Sequence, residues 1–366
     1  MEKKIIKTIT CHEVYNYGAS LQEYALLAFL NNHGHEASVI HYKPSYLSGH
    51  FKLWSVSFRF DKPFLKQLYL LAKLPSRLKA LKKKKNFDIF HQKHIRTDLK
   101  LFKSNEELKE NLPNADVFIC GSDQIWNSFF QNGKDPAFYL NFVPDDKIKI
   151  SYAASFAIDE IVESVQPLVK ENVARMQAVS VRETSGLRIL QDLGIEKAIQ
   201  VLDPVFLLEK SHWDKFIFPI EEDYIFIYDF DSNPLIKAIA LQLKKEKGWK
   251  IYSLNQNIDY ADVNYWLEGP ERFLSLVSQS KVNLTNSFHS LAFSLIFQQQ
   301  FVVVNRTEKI NTRMRDLLYL LNLEANLVTT KKDYDILNKI DFAKATPVLD
   351  QHIERSRQFL VNSLTS

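Results

Sequence analysis

Short apolar runs alternate with stretches of helical period along almost the whole chain. This is the pattern of an α/β fold with mostly parallel sheets. The first unit is KIIKTIT, then a polar loop, then a helix beginning near Ser20. Ser20 and Glu23 read as an S-x-x-E capping box. Leu21, Tyr24, Ala25 and Ala28 share one face of that helix. Gly34 follows its last turn, where a left-handed cap is expected. ASVIHY is the next strand, and an irregular stretch, roughly 44–110, holds a helix rich in lysine.

Strands DVFIC and KISYAAS follow, then a helix over about 162–176, then strands AVSVRE and AIQVLDP, with Pro204 closing the unit. The pattern then restarts. YIFIYDF, KIYSLNQ, KVNLT and FVVVN read as strands. PLIKAIALQLKKEKG, PERFLSLVSQS, SFHSLAFSLIFQQ, NTRMRDLLYLLNL and TPVLDQHIERSRQFLVNSL read as helices. The simplest architecture is two Rossmann-type domains with a cleft between them. They span 1–205, with a basic helical insertion at about 62–96, and 206–366, whose last helix is placed to pack back on the first domain. Ligands of open α/β sheets bind beyond the C-terminal ends of strands, so strand ends carry the candidate chemistry.

Composition changes this picture little. The chain has 366 residues, 46% of them hydrophobic and 25% charged, enough for two ordinary cores. A net charge of +4 does not call for nucleic acid, and no OB, RRM or zinc-finger signature appears. The N-terminus lacks the long apolar segment of a signal peptide, and no run of eighteen apolar residues suggests a membrane span. The two cysteines, Cys11 and Cys120, fit a reduced cytoplasmic protein better than a disulfide-stapled one. The charge is uneven, however. Residues 77–96 are strongly basic: either a solvated helix face or a surface for peripheral contact with anionic lipid at the inner face of the cytoplasmic membrane.

Five strand ends stand out. In CHEVYNYGASLQ, Asn16, Tyr17 and Gly18 precede a helix N-terminus, and Gly18 lets backbone approach a ligand. A lone glycine makes neither a dinucleotide fingerprint nor a P-loop, and an ordinary βα loop explains the stretch as well. In ADVFICGSDQIWN, Gly121 permits a positive φ and Asp123 suits a cap. Capping does not account for Ser122, Asp123 and Gln124 in succession after a buried strand. Donors and acceptors fixed on a strand end suit a polyhydroxy ligand. In SVRETSG, Arg182 either pairs internally with a carboxylate or presents its fork to an anion. In KVNLTNSFHSLAF, Thr285, Asn286 and Ser287 crowd a strand–helix junction, with His289 and Ser290 in the first turn. That helix end favours an anion, and His289 is either part of such a site or a satisfied buried residue. Arg313 either pairs locally or reaches the cleft. No metal-ligand spacing of the H-E-x-x-H or C-x-x-C kind appears, so no metal is expected, and there is no G-x-S-x-G elbow.

Together these stretches resemble the polysaccharide pyruvyl transferase family. The matching segments run in family order from about residue 5 to 325: NYGASLQEYAL, ADVFICGSDQIWN, ISYAASFA, SVRETSG, VLDPVFLL and GPERFLSLVSQSKVNLTNSFHSLAFSLIFQQQFVVVN. The resemblance implies a GT-B-like fold. It also implies transfer of a pyruvyl group from phosphoenolpyruvate to a hexose of a surface polysaccharide or its lipid-linked precursor, giving a cyclic ketal and needing no cofactor. On that reading His289 is the general acid and Asp123 a base. Arg182, Asn286, Ser287, Ser290 and Arg313 bind the donor. Asn16, Gly18, Gln22, Ser122, Gln124 and Trp126 serve the acceptor, with Trp126 either stacking on a sugar or belonging to the core. Where the family has an arginine two positions before the histidine, this chain has Ser287; the missing cation would come from Arg313, Arg306 or a lysine. A nucleotide-sugar glycosyltransferase and a non-catalytic glycan-binding protein are the competing readings.

Overall fold

The computed structural model describes residues 2–47, 63–307, 311–335 and 338–365. Twelve strands form two six-stranded sheets. The first holds β1 (Ile5–Ile9), β2 (Glu36–Val39), β3 (Val117–Gly121), β4 (Ile148–Ala154), β5 (Ala178–Val181) and β6 (Ile199–Gln200), in the order β2-β1-β3-β4-β5-β6. The second holds β7 (Tyr224–Tyr228), β8 (Lys250–Ser253), β9 (Val263–Asn264), β10 (Val282–Thr285), β11 (Phe301–Val304) and β12 (Leu327–Val328), in the order β12-β11-β10-β7-β8-β9. All paired strands are parallel. Counted from its own first strand, the second sheet runs 6-5-4-1-2-3, the Rossmann order seen from the opposite edge. Strand order reverses between β1 and β3 in one lobe and between β7 and β10 in the other.

The helices of the first lobe are α1 (Tyr17–Asn32), α2 (Pro63–His94), α3 (Asn105–Glu110), α4 (Gln166–Ala174) and α5 (Thr184–Asp192), with α6 (Lys210–Asp214) in the connection. The second lobe has α7 (Pro234–Lys247), α8 (Pro270–Gln279), α9 (Phe288–Ile296), α10 (Thr312–Leu320), α11 (Lys331–Asp335) and α12 (Phe342–Thr365). None of the helices among the described residues is long and apolar enough to cross a membrane.

α1 decides how the lobes meet. Thirteen of its sixteen residues are buried, so it is covered on nearly every side rather than along one stripe. Tyr17 stacks on Phe273 of α8 with ring centres 5.8 Å apart, and its hydroxyl donates to the Glu268 carbonyl at 3.0 Å. The helix begins at Tyr17, earlier than the sequence pattern suggests, because Asn16 is the cap and accepts from the Ala19 amide at 3.2 Å. Ser20 and Glu23 therefore form no capping box. Both lie inside, and buried polar groups need partners. Ser20 Oγ meets His91 Nε2 at 2.8 Å, and Glu23 Oε1 meets His12 Nδ1 at 2.6 Å. At the far end of the chain, α12 reaches the first lobe: Ser356 Oγ accepts from the Leu202 amide at 2.9 Å, and Phe359 packs on Tyr152 of β4.

Candidate active site

A cavity of about 600 Å³ opens where the two points of strand reversal face each other. Its first-lobe wall comes from the ends of β1 and β3: Cys11, Val14 and Asn16, then Asp123 and Gln124, with Phe130 and Asn132 beyond. The second-lobe wall comes from the ends of β7, β10 and β11: Phe230, then Ser287, Phe288 and His289, with Arg306 and Arg313. Asn16, Asp123, Gln124, Ser287, His289 and Arg313, far apart in sequence, thus meet around one space.

The β3 end is held in an uncommon conformation. Ser122 and Asp123 have φ of +21° and +61°, values that non-glycine residues adopt only where surroundings enforce them. Here the Asp123 carbonyl accepts from the Ile125 amide at 2.8 Å and the Ser155 amide at 3.2 Å. The positive φ falls on these two residues and not on Gly121, which remains in the strand. The result turns the Asp123 side chain into the cleft.

Beneath the cavity floor lies a buried charge network. Arg182, at the end of β5, pairs through Nη1 with Asp203, and Ser122 Oγ donates to the same Asp203 oxygen at 3.1 Å. His289 Nε2 stands 3.4 Å from that oxygen. Asp203 is 0% exposed. Burial alone would raise its pKa, but the attraction of His289 and Arg182 outweighs this and holds the carboxyl well below the usual carboxylate range. Glu183 does not take the Arg182 pair. Its carboxylate accepts from Ser155 Oγ at 3.0 Å and from the Phe156 and Ala157 amides at 2.8 and 2.9 Å, fixing the loop after β4.

Two guanidiniums flank one ring. Arg182 and Arg313 lie 4.5 and 5.7 Å from the centre of Phe288. Asp123 Oδ1 is 3.9 Å from Arg182 Nη2 and 3.6 Å from Arg313 Nη1. Arg182 Nε and Nη2 and Arg313 Nε are buried without a hydrogen-bond partner. Burial pushes the Arg313 guanidinium down to about 9, and the like charges of Arg182 and Arg306 push the same way. It remains a cation near neutral pH. Arg306 lies over Phe230, 3.7 Å from its centre, and donates through Nε to the Asn286 carbonyl at 3.0 Å.

Several sequence expectations change in this setting. Trp126 is fully buried; its indole donates to the Phe138 carbonyl at 2.9 Å and stacks on Tyr139 with ring centres 5.4 Å apart. It belongs to the core and offers no face to a sugar. Gln22 is turned inward, donating to Thr10 Oγ1 at 3.2 Å and the Ala19 carbonyl at 3.0 Å. Asn286 ties the ends of β7 and β10 together, donating to Asp229 and Asp231 at 2.6 Å each. Ser290 is fully buried below the cavity, and Ser122 serves the Asp203 network.

Gly18 also acts differently from the expectation. A Cβ on it would lie 1.9 Å from His289 Nδ1. The glycine makes room for the imidazole rather than for a ligand. Gly18→Ala is therefore expected to displace the ring and lower kcat by about 10²-fold, the scale of a one-ångström misplacement. Steady-state kinetics beside an unchanged circular dichroism spectrum would check this. A variant with native kcat would show that the position of His289 is not critical.

Asp203 was the main residue hidden from sequence reading. It sits in VLDP after an apolar run, where an isolated acid beyond a strand was its only signal. Phe130, Asn132, Phe230 and Phe288 had no signal of their own.

The polysaccharide pyruvyl transferase family profile matches residues 16–308. The chain belongs to the polysaccharide pyruvyl transferase family. It is a transferase, and the family implies a glycan acceptor. No curated protein matches the chain at a significant level. Among solved structures it resembles the Arabidopsis thaliana protein UGT89C1 complexed with UDP-L-rhamnose, at 9% identity and a TM-score of 0.51, covering 98% of this chain and 99% of that one. It also resembles a putative UDP-N-acetylglucosamine 2-epimerase from Listeria monocytogenes, at 10% identity and a TM-score of 0.50, covering 98% and 91%. At such identities the likeness concerns fold alone, and that fold is GT-B.

Proposed function

We propose that this pyruvyl transferase takes its pyruvyl group from phosphoenolpyruvate and places it on two hydroxyls of one hexose in a surface polysaccharide or its lipid-linked precursor. The observation that carries the reading is the pair of buried guanidiniums, Arg182 and Arg313, with unpartnered nitrogens beside His289. Phosphoenolpyruvate carries a phosphate and a carboxylate, and guanidinium forks suit both. Arg306 and Arg313, on the same wall as Ser287, supply the positive charge that an arginine at position 287 would otherwise bring.

The reaction follows from these positions. His289 gives a proton to the methylene carbon, and the adjoining carbon gains oxocarbenium character. One sugar hydroxyl adds there, the C–O bond to phosphate breaks, and the second hydroxyl closes the ketal. Of the two hydroxyl protons, one restores His289 and the other leaves with phosphate. Asp123, on the opposite wall, accepts a hydroxyl proton, with Asn16 and Gln124 orienting the sugar. Phe130, 43% exposed on the cavity wall, takes the stacking role once assigned to Trp126.

Incubation with phosphoenolpyruvate and a panel of lipid-linked hexoses, read by mass, tests the proposal. Addition of one pyruvyl group with loss of water from the diol supports it. Release of UDP or GDP from a nucleotide sugar would replace it with glycosyl transfer, and glycan binding without turnover of any donor would replace it with a scaffold role.

The lipid-linked acceptor also gives a use to the inserted helix. On α2, Lys79, Lys82 and Lys85 are exposed beside Leu78 and Ile89, which are 53% and 51% exposed. Such a mixture suits the surface of an anionic bilayer. Co-sedimentation with anionic vesicles is expected for the native chain and reduced when these three lysines become glutamine; equal recovery of both would remove membrane contact from the proposal.

A further inference from the structure

We propose that His12, Glu23 and His91 bind a divalent transition-metal ion of the zinc class, which fastens the inserted helix α2 to the wall of the cleft. One donor atom from each of the three lies within 4.8 Å of the others. The residues are 1%, 3% and 5% exposed, so the group is closed to solvent. Three separate elements supply them: the loop after β1, the middle of α1 and the last turns of α2.

The His12–Glu23 contact at 2.6 Å would by itself describe an internal polar pair. His91 is what such a pair leaves unexplained. Its ring lies beside that of His12, with centres 5.4 Å apart, and its Nδ1 is buried with no hydrogen-bond partner. A buried imidazole nitrogen without a partner is costly. Its other nitrogen is held by Ser20 Oγ at 2.8 Å. A ligating histidine usually has its second nitrogen fixed in this way by an outer group. Two imidazoles and one carboxylate are borderline donors, suited to zinc and its neighbours and unlike the all-oxygen sets of calcium or magnesium.

A closed donor set marks a structural ion rather than a catalytic one. The loop that carries His12 also carries Cys11, Val14 and Asn16 of the cavity wall. It has positive φ at Glu13 and Tyr15, of +53° and +55°. An ion joining His12 to α1 and α2 would hold that strained loop in place. His41 and Glu13 lie on the other side of His12, also within reach of a shared ion, but both are only partly buried. They offer the competing assignment.

The test uses the full chain without a histidine tag, stripped with chelator, reloaded with zinc and passed through a desalting column. Metal content is then measured by mass spectrometry and the ligands by zinc-edge X-ray absorption. About one zinc per chain is expected, with imidazole scattering and bond lengths of roughly 2.0–2.1 Å. His91→Ala is expected to weaken zinc binding by at least about tenfold, and His41→Ala to leave it unchanged. No zinc retained above the buffer level, or an absorption spectrum without imidazole, overturns the proposal. Retention by His91→Ala with loss in His41→Ala overturns the assignment as well. If His91→Ala does not fold, the metal content and spectrum of the native chain still decide.

Discussion

His289→Gln is expected to lower kcat for ketal formation by about 10²–10⁴-fold, the usual weight of a general acid, while changing the affinity for phosphoenolpyruvate much less. The imidazole is well placed for this. It stands in the first turn of α9 on the cavity wall, with Nε2 3.4 Å from the Asp203 carboxylate. A buried carboxylate stabilises imidazolium, and Gly18 leaves the space the ring occupies. Glutamine keeps hydrogen-bonding capacity without a proton to give, so binding and proton transfer separate. Steady-state kinetics with calorimetric titration of the donor would measure both. A variant retaining native kcat would remove His289 from proton delivery.

Arg182→Met is expected to abolish measurable turnover and to destabilise the fold by about 3–5 kcal/mol, the range for removing one partner of a buried pair. Methionine fills much of the volume but leaves Asp203, 0% exposed, without its guanidinium. It also removes unpartnered nitrogens from beneath the cavity. The pH dependence has a definite sign. Asp203 is held below its ordinary value in the folded protein, so its stabilisation is fully present above the unfolded carboxylate pKa and lost as pH falls through the folded one. The gap between native and variant stabilities should therefore narrow below about pH 4. Urea unfolding at several pH values would show this, and a constant gap would mean the lost stability comes from packing instead.

The chain's alternating pattern carries most of the fold. Every strand expected from an apolar run lies in one of the two sheets, because buried parallel strands need continuous apolar sequence. Local chemistry misled where burial was tertiary. Ser20 and Glu23 have the spacing of a cap, yet α1 is sandwiched between lobes and both residues turn to histidines from elsewhere in the chain. Trp126 follows a polar loop, but that loop doubles back and leaves the indole in the core. In the site, residues at strand ends were legible because the fold class alone directs attention there. Asp203 was not, since its role depends on Arg182, Ser122 and His289 converging from three other elements. The proposed metal ligands were invisible for the same reason: their spacing in sequence matches no local motif.

The most direct test is one turnover in deuterium oxide with phosphoenolpyruvate and a hexose acceptor that the enzyme accepts, followed by NMR of the product. Proton delivery to the methylene carbon predicts a ketal methyl group carrying one deuterium and one phosphate released per ketal formed. A methyl group free of solvent hydrogen, or a product formed without phosphate release, would contradict it.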